Sequence, residues 1–112
     1  MSNYSTGHKA EQVAAEYLKT QGYKILEINW KTKYCEIDIV IQKNNTVYLT
    51  EVKYRKSNAS GSGFEYITPK KLKQMKFAAE IWVSQHKWEG DYQLAAIEMG
   101  GDNEVSEFLT DL

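Results

Sequence analysis

Apolar residues recur at two different periods along this chain. From Lys9 to Gln21, the residues Ala10, Val13, Ala14, Tyr17 and Leu18 fall at three- and four-residue intervals, the spacing of one helix face. Gly22 ends that run, being free to take the left-handed conformation that closes a last helical turn. The period then drops to two. "YKILEIN", "EIDIVIQ" and "VYLTEVKY" predict three strands, the second and third alternating and β-branched and joined by "KNNT". Asparagine tolerates positive φ, which suits Asn44-Asn45 to a tight turn. The small polar stretch "SNASGSG" predicts a loop. A second helix opens at Thr68-Pro69, threonine as N-cap and proline in the first helical position, and runs to about Gln85. Its apolar face holds Leu72, Met75, Ala79, Trp82 and Val83. "YQLAAIEM" predicts a last strand, and residues 99–112 read as an acidic tail, either a short helix or a frayed end. The order helix, three strands, helix, strand describes an α/β sandwich with a mixed central sheet.

A chain of 112 residues is one domain of ordinary size, large enough to bury a core without staples. One cysteine, Cys35, forms no internal disulfide, which suits a reducing compartment. No apolar leader stands at the N-terminus and no stretch has the ~20 apolar residues of a membrane span. The expected location is the cytoplasm, with no membrane partner. The net charge of -1 hides an uneven distribution. Between Lys43 and Lys76 the only acids are Glu51 and Glu65, whereas from Glu98 onward acids occur without a base. A polyanionic partner is compatible with that basic centre.

The candidate chemistry lies in the central hairpin. A turn centred between Asn44 and Asn45 sets Asp38 opposite Glu51 and Glu36 opposite Lys53. Opposed side chains share a face, with Cβ atoms about 4.5–5.5 Å apart. That face carries Glu36, Asp38, Glu51 and Lys53 and continues into Val40 and Leu49; the other carries Ile37, Ile39, Ile41, Tyr48, Thr50 and Val52, a core pattern. Two opposed carboxylates repel unless a shared proton, a neighbouring cation such as Lys53, or a divalent metal offsets the repulsion. Oxygen-only ligands favour Mg²⁺ or Mn²⁺ over zinc. An acid, a hairpin turn and then Glu-x-Lys in matching register make the constellation of metal-dependent phosphodiester cleavage, with the lysine placed to stabilise charge on the phosphate. The competing reading is a solvated strand end in which Glu36 pairs with Lys53 and Asp38 faces water.

Lys70, Lys71, Lys73 and Lys76 crowd the start of the second helix, where cations oppose the helix dipole by roughly 0.3–1 kcal/mol each. Phosphate binding would offset that cost, and Arg55 and Lys56 extend the basic rim. The alternative is a solvated helix face. With a single arginine in the chain, base-specific groove reading has little support, and backbone binding fits better. His8, His86 and Cys35 lack the spacing of a zinc site.

"GHKAEQVAAEYLKTQGYKILEINW", "EIDIVI", "VYLTEVKYR", "ITPKKLKQMKFAAEIWV" and "DYQLAAIE" together resemble, in order, the YraN-like family of bacterial proteins. That family is similar to archaeal Holliday-junction resolvases and to restriction-endonuclease-like nucleases with the PD-(D/E)xK signature. The resemblance covers about residues 7–98. It implies a restriction-endonuclease-like three-layer sandwich whose mixed sheet is flanked by helices, and a Mg²⁺- or Mn²⁺-dependent endonuclease acting on DNA, branched or otherwise structured. The alternative is a non-catalytic nucleic-acid-binding protein of the same fold. Carried over, Asp38 and Glu51 are expected as metal ligands, Lys53 as the catalytic lysine, Glu11 as an added acid from the first helix, and Glu36 as a secondary candidate. Glu11 neighbours Ala14, Ala15 and Leu18 on the helix, so it borders the packed face; the alternative is an ordinary exposed first-turn acid favoured by the helix dipole. Related resolvases act as dimers on two-fold symmetric junctions, which makes a homodimer the expected assembly. The family usually has glycine where Cys35 stands, and a side chain there would narrow access to the backbone.

Overall fold

The computed structural model describes residues 3–55, 64 and 66–112. The elements follow in the order α1 (Asn3–Thr20), β1 (Lys24–Lys31), β2 (Glu36–Lys43), β3 (Thr46–Tyr54), α2 (Pro69–His86), β4 (Asp91–Met99) and β5 (Val105–Thr110). All five strands form one sheet in sequence order. β3 and β4 run parallel, as a crossover through α2 requires, and every other neighbouring pair is antiparallel. The sheet is therefore mixed, with α1 against one face and α2 against the other.

The predicted boundaries have visible causes. Gly22 adopts φ +92° and the Tyr23 N–H returns to the Leu18 carbonyl at 3.0 Å, closing α1. The Thr68 hydroxyl accepts from the Lys71 N–H at 3.1 Å with Pro69 in the first turn, capping α2. Asn44 takes φ +55° in the two-residue turn between β2 and β3. α1 begins earlier than Lys9, because "NYSTGHK" joins the helix without any apolar periodicity to announce it.

Two apolar clusters hold the layers together. Under α1, Ala10, Ala14, Ala15 and Leu18 bury against Ile39, Ile41, Ile97 and Met99. Under α2, Ala78, Ala79 and Trp82 bury against Val40, Val47, Leu49 and Ile37. The alanines bring both helices close to the sheet. Trp82 also donates its indole N–H to Glu27 of β1, and His86 Nε2 lies 3.3 Å from the same carboxylate oxygen, tying α2 to the edge strand.

Two expectations need correction. Residues 99–112 were expected as a tail, helical or frayed, yet Val105–Thr110 form β5, paired to β4, so the predicted core limit at residue 98 falls inside the sheet. The register slips between Glu98 and Met99, which brings Val105 and Phe108 to the same cluster although they are three residues apart. That slip hides the period of two. Ile37 was expected on the face of Ile39 but packs with Val40 under α2. The alternation breaks at Asp38, beside Asn29 of β1 with φ +57°.

Candidate functional site

The β2–β3 ladder has the expected register, running from Lys43↔Thr46 to Ile39↔Thr50, and ends one pair before Asp38 and Glu51. Beyond that point β2 stays bonded to β1 as far as Lys31↔Glu36, and β3 stays bonded to β4 as far as Tyr54↔Met99. The two central strands thus part at the acids. A side chain spans the gap: the Val52 N–H donates to Asp38 Oδ2 at 2.7 Å, replacing the carbonyl a continued ladder would have offered.

Asp38 is partly buried there, and burial pushes its pKa up from 3.8 to about 7. The Val52 hydrogen bond opposes the shift, while the charges of Glu51, Glu11 and Glu36 add to it. The other three carboxylates singled out in the sequence therefore all act on Asp38 at the open end of the hairpin. Glu11 reaches this place from α1, and its Oε1 is buried without a hydrogen-bond partner among the described residues. Glu51 pairs with Lys71 at 2.7 Å. Glu36 is exposed and lies 3.9 Å from Lys31 of β1, so the pairing with Lys53 considered from the sequence is not the one found. Among the described residues no three His, Cys, Asp or Glu side chains already converge in a ligating cluster.

Lys53 occupies the expected position on β3, and its ammonium lies over the ring of Tyr66, 5.2 Å from the centroid. The Arg55 guanidinium is 5.9 Å from the same centroid. The Tyr66 hydroxyl is buried with no hydrogen-bond partner among the described residues. Burial and the charges of Glu51, Asp38 and Glu98 push its pKa upward, so the phenol keeps its proton as a donor. Nothing in spacing marks Tyr66; it lies in the approach to the Thr68 cap. Glu98 was also missed. It neighbours Lys53 in the parallel β3–β4 ladder, lies 3.3 Å from Arg55 and accepts from Ser106 Oγ at 2.8 Å. Setting β4 parallel to β3, as the intervening helix requires, would have found it.

The basic rim is rearranged relative to expectation. Arg55 belongs to the Glu98 pair and Lys71 to the Glu51 pair, while Lys70, Lys73 and Lys76 are exposed on α2. Lys56, the loop at 57–63 and the His8 side chain lie outside the described residues. Beside Glu51 a cleft of about 430 Å³ opens between the start of α2 and the β1–β2 turn, lined by Tyr34, Cys35, Lys71, Lys73 and Phe77 among others. Cys35 packs at the edge of the α2 cluster with Sγ 3.3 Å from the Thr32 hydroxyl, as a small apolar residue would. No helix among the described residues is long and apolar enough to cross a membrane.

Comparison with known proteins places these features in a lineage. The profile of the Uncharacterised protein family UPF0102 matches residues 10–99, a span that holds every acid discussed above and Lys53. A UPF0102 protein of Vibrio campbellii is 40% identical over 77% of this chain and 70% of its own length. One from Syntrophomonas wolfei is 42% identical over 72% of this chain and 70% of its own. A third, from Cytophaga hutchinsonii, is 35% identical over 91% of this chain and 90% of its own.

Proposed function

The chain belongs to the UPF0102 family, and we propose that it is a metal-dependent endonuclease that cleaves phosphodiester bonds in DNA, branched or otherwise structured DNA included. The observation that carries the proposal is that Asp38 and Glu51 line one small pocket at the point where β2 and β3 part, with Lys53 two residues along the same strand. The similarity to resolvases and PD-(D/E)xK nucleases noted for the sequence supports it.

The donor set fits a hard divalent cation. It consists of carboxylate oxygens only, one of them, Glu11 Oε1, buried without a partner. Asp38 and Glu51 would hold Mg²⁺ or Mn²⁺, with Glu11 and Glu36 as flanking acids. Two protein carboxylates and several waters are a common complement for Mg²⁺. Such an ion, when bound, supplies Lewis acidity toward a phosphodiester. Lys53 stabilises negative charge as it grows on the phosphate, and the face of Tyr66 holds that ammonium in place. Lys70, Lys73 and Lys76 meet the DNA backbone as point charges.

A second reading is favoured by the Lys71–Glu51 ion pair, which already neutralises one of the two ligands. In that reading the protein binds nucleic acid without cutting it. One assay separates the two. Linear, single-stranded and four-way-junction DNA are incubated with the protein and Mg²⁺ or Mn²⁺, beside Asp38→Ala and Lys53→Ala. Cleavage by the wild type that both substitutions abolish supports the nuclease. Binding without cleavage supports the second reading, and cleavage that survives both substitutions contradicts the assigned site.

A further inference from the structure

We propose that the cleft between the β1–β2 turn and α2 receives an unpaired DNA base, stacked against Tyr34 and Phe77. The inference rests on the nucleic-acid reading above and narrows its substrate to DNA with an unpaired segment beside the site of attack.

Among the described residues the two most exposed large apolar side chains are Tyr34, at 74%, and Phe77, at 51%; the next are near 40%. Both line this one cleft, although they come from separate elements, a turn and the middle of α2. The other exposed apolar residues, Ile28, Tyr92 and Leu109, lie on β1, β4 and β5 outside it. The volume of about 430 Å³ falls within the range of about 300–1,000 Å³ usual for small-molecule sites.

The turn that carries Tyr34 is preorganised. The Thr32 hydroxyl accepts from the N–H groups of Tyr34 at 3.0 Å and Cys35 at 3.2 Å, and the Thr32 N–H donates to the Cys35 carbonyl at 2.8 Å. An exposed aromatic held on such a turn loses little freedom on binding. Exposed Lys73 stands on the wall of the cleft for an adjoining phosphate, while Lys71 is seated on Glu51. Glu36 and Glu51, which line the cleft, also line the small pocket that reaches Asp38. A base stacked here would leave its own backbone beside the carboxylates. Aromatic side chains that stack bases are a usual means of holding single strands without reading sequence. A fully paired duplex offers no free base face, so it would gain nothing from the two rings.

The test measures binding in EDTA, so that no cleavage is involved. Oligonucleotides carry the fluorescent base 2-aminopurine, either in an unpaired stretch or within a blunt duplex. The wild type should bind the unpaired form about tenfold more tightly and quench its fluorescence by stacking. Tyr34→Ala and Phe77→Ala should each remove most of that preference and the quenching, whereas Tyr34→Phe should keep both, and duplex binding should be unchanged throughout. Equal loss on both DNA forms, or no loss in either alanine variant, would overturn the subsite. Quenching that depends on Tyr34 and Phe77 in a protein that never cleaves with Mg²⁺ would leave the subsite standing and remove the nuclease. Cleavage indifferent to both rings would do the opposite.

Discussion

At the turn end of the β2–β3 hairpin, Asn44 supplies the positive φ, Ile41 and Val47 are fully buried, and the ladder is unbroken from Lys43↔Thr46 to Ile39↔Thr50. At the other end of the same two strands the ladder stops, a carboxylate takes the place of a main-chain acceptor, and three further acids act on that carboxylate. The turn end is built for stability. The open end does the reverse: a partly buried carboxylate beside other carboxylates is destabilising unless protonated or paired with a cation. The contrast is the ground for setting the proposed metal site at the open end, since perturbed carboxylates cluster at functional sites.

The largest effect should come from breaking the open end chemically. Asp38→Ala and Lys53→Ala are expected to lower cleavage roughly 10²–10³-fold, as loss of a group aimed at developing charge does elsewhere, measured on junction DNA under single-turnover conditions. Far-ultraviolet circular dichroism should show both variants folded.

Next in size is a stability effect with a defined sign. Asp38 titrates near 3.8 when unfolded and at about 7 in the folded protein, so the fold prefers the protonated form. The stability linked to that preference is complete below about pH 4 and is lost as pH rises through 7. Asp38→Asn, which keeps an acceptor for the Val52 N–H, should therefore be more stable than the wild type at pH 8 by roughly 1–3 kcal/mol. Urea denaturation at pH 4 and pH 8 measures the difference, which should shrink toward zero at the lower value. Saturating Mg²⁺ should close the gap at pH 8 by stabilising only the wild type.

At the turn end, Asn44→Ala places a residue with a Cβ and no compensating amide in the left-handed region and should cost about 1 kcal/mol. Cleavage and ion affinity should stay as in the wild type; a change in either would mean that the two ends are not separable. The smallest expected effect belongs to Lys71. Its ion pair competes with a metal for Glu51, so Lys71→Met should tighten Mg²⁺ binding a few-fold by calorimetry while lowering stability by no more than about 1 kcal/mol.

The sequence reading reached the hairpin register, both helix caps and the acids because each has a local signature. Asn44-Asn45 centres the turn, Thr68-Pro69 starts α2, and the register follows by counting. It failed where geometry departs from a strict period. Asn29 with positive φ lies beside Asp38 and turns Ile37 to the α2 face, and the slip at Glu98/Met99 disguises β5. Tyr66 and Glu98 escaped the local patterns for a different reason. One enters the site from a connection and the other through a parallel pairing across α2, contacts that no local pattern encodes. The basic rim was half legible: exposed lysines on α2 could be anticipated, but Lys71 turning onto Glu51 could not.

The convergence of Asp38 and Glu51 on one divalent ion is tested most directly by growing crystals of the protein with Mn²⁺ and locating the metal by its anomalous scattering. One peak bound by oxygens of both carboxylates at about 2.0–2.3 Å is the predicted result. Ordered Asp38 and Glu51 side chains with no peak between them at saturating Mn²⁺, or with Lys71 still seated on Glu51, would contradict it.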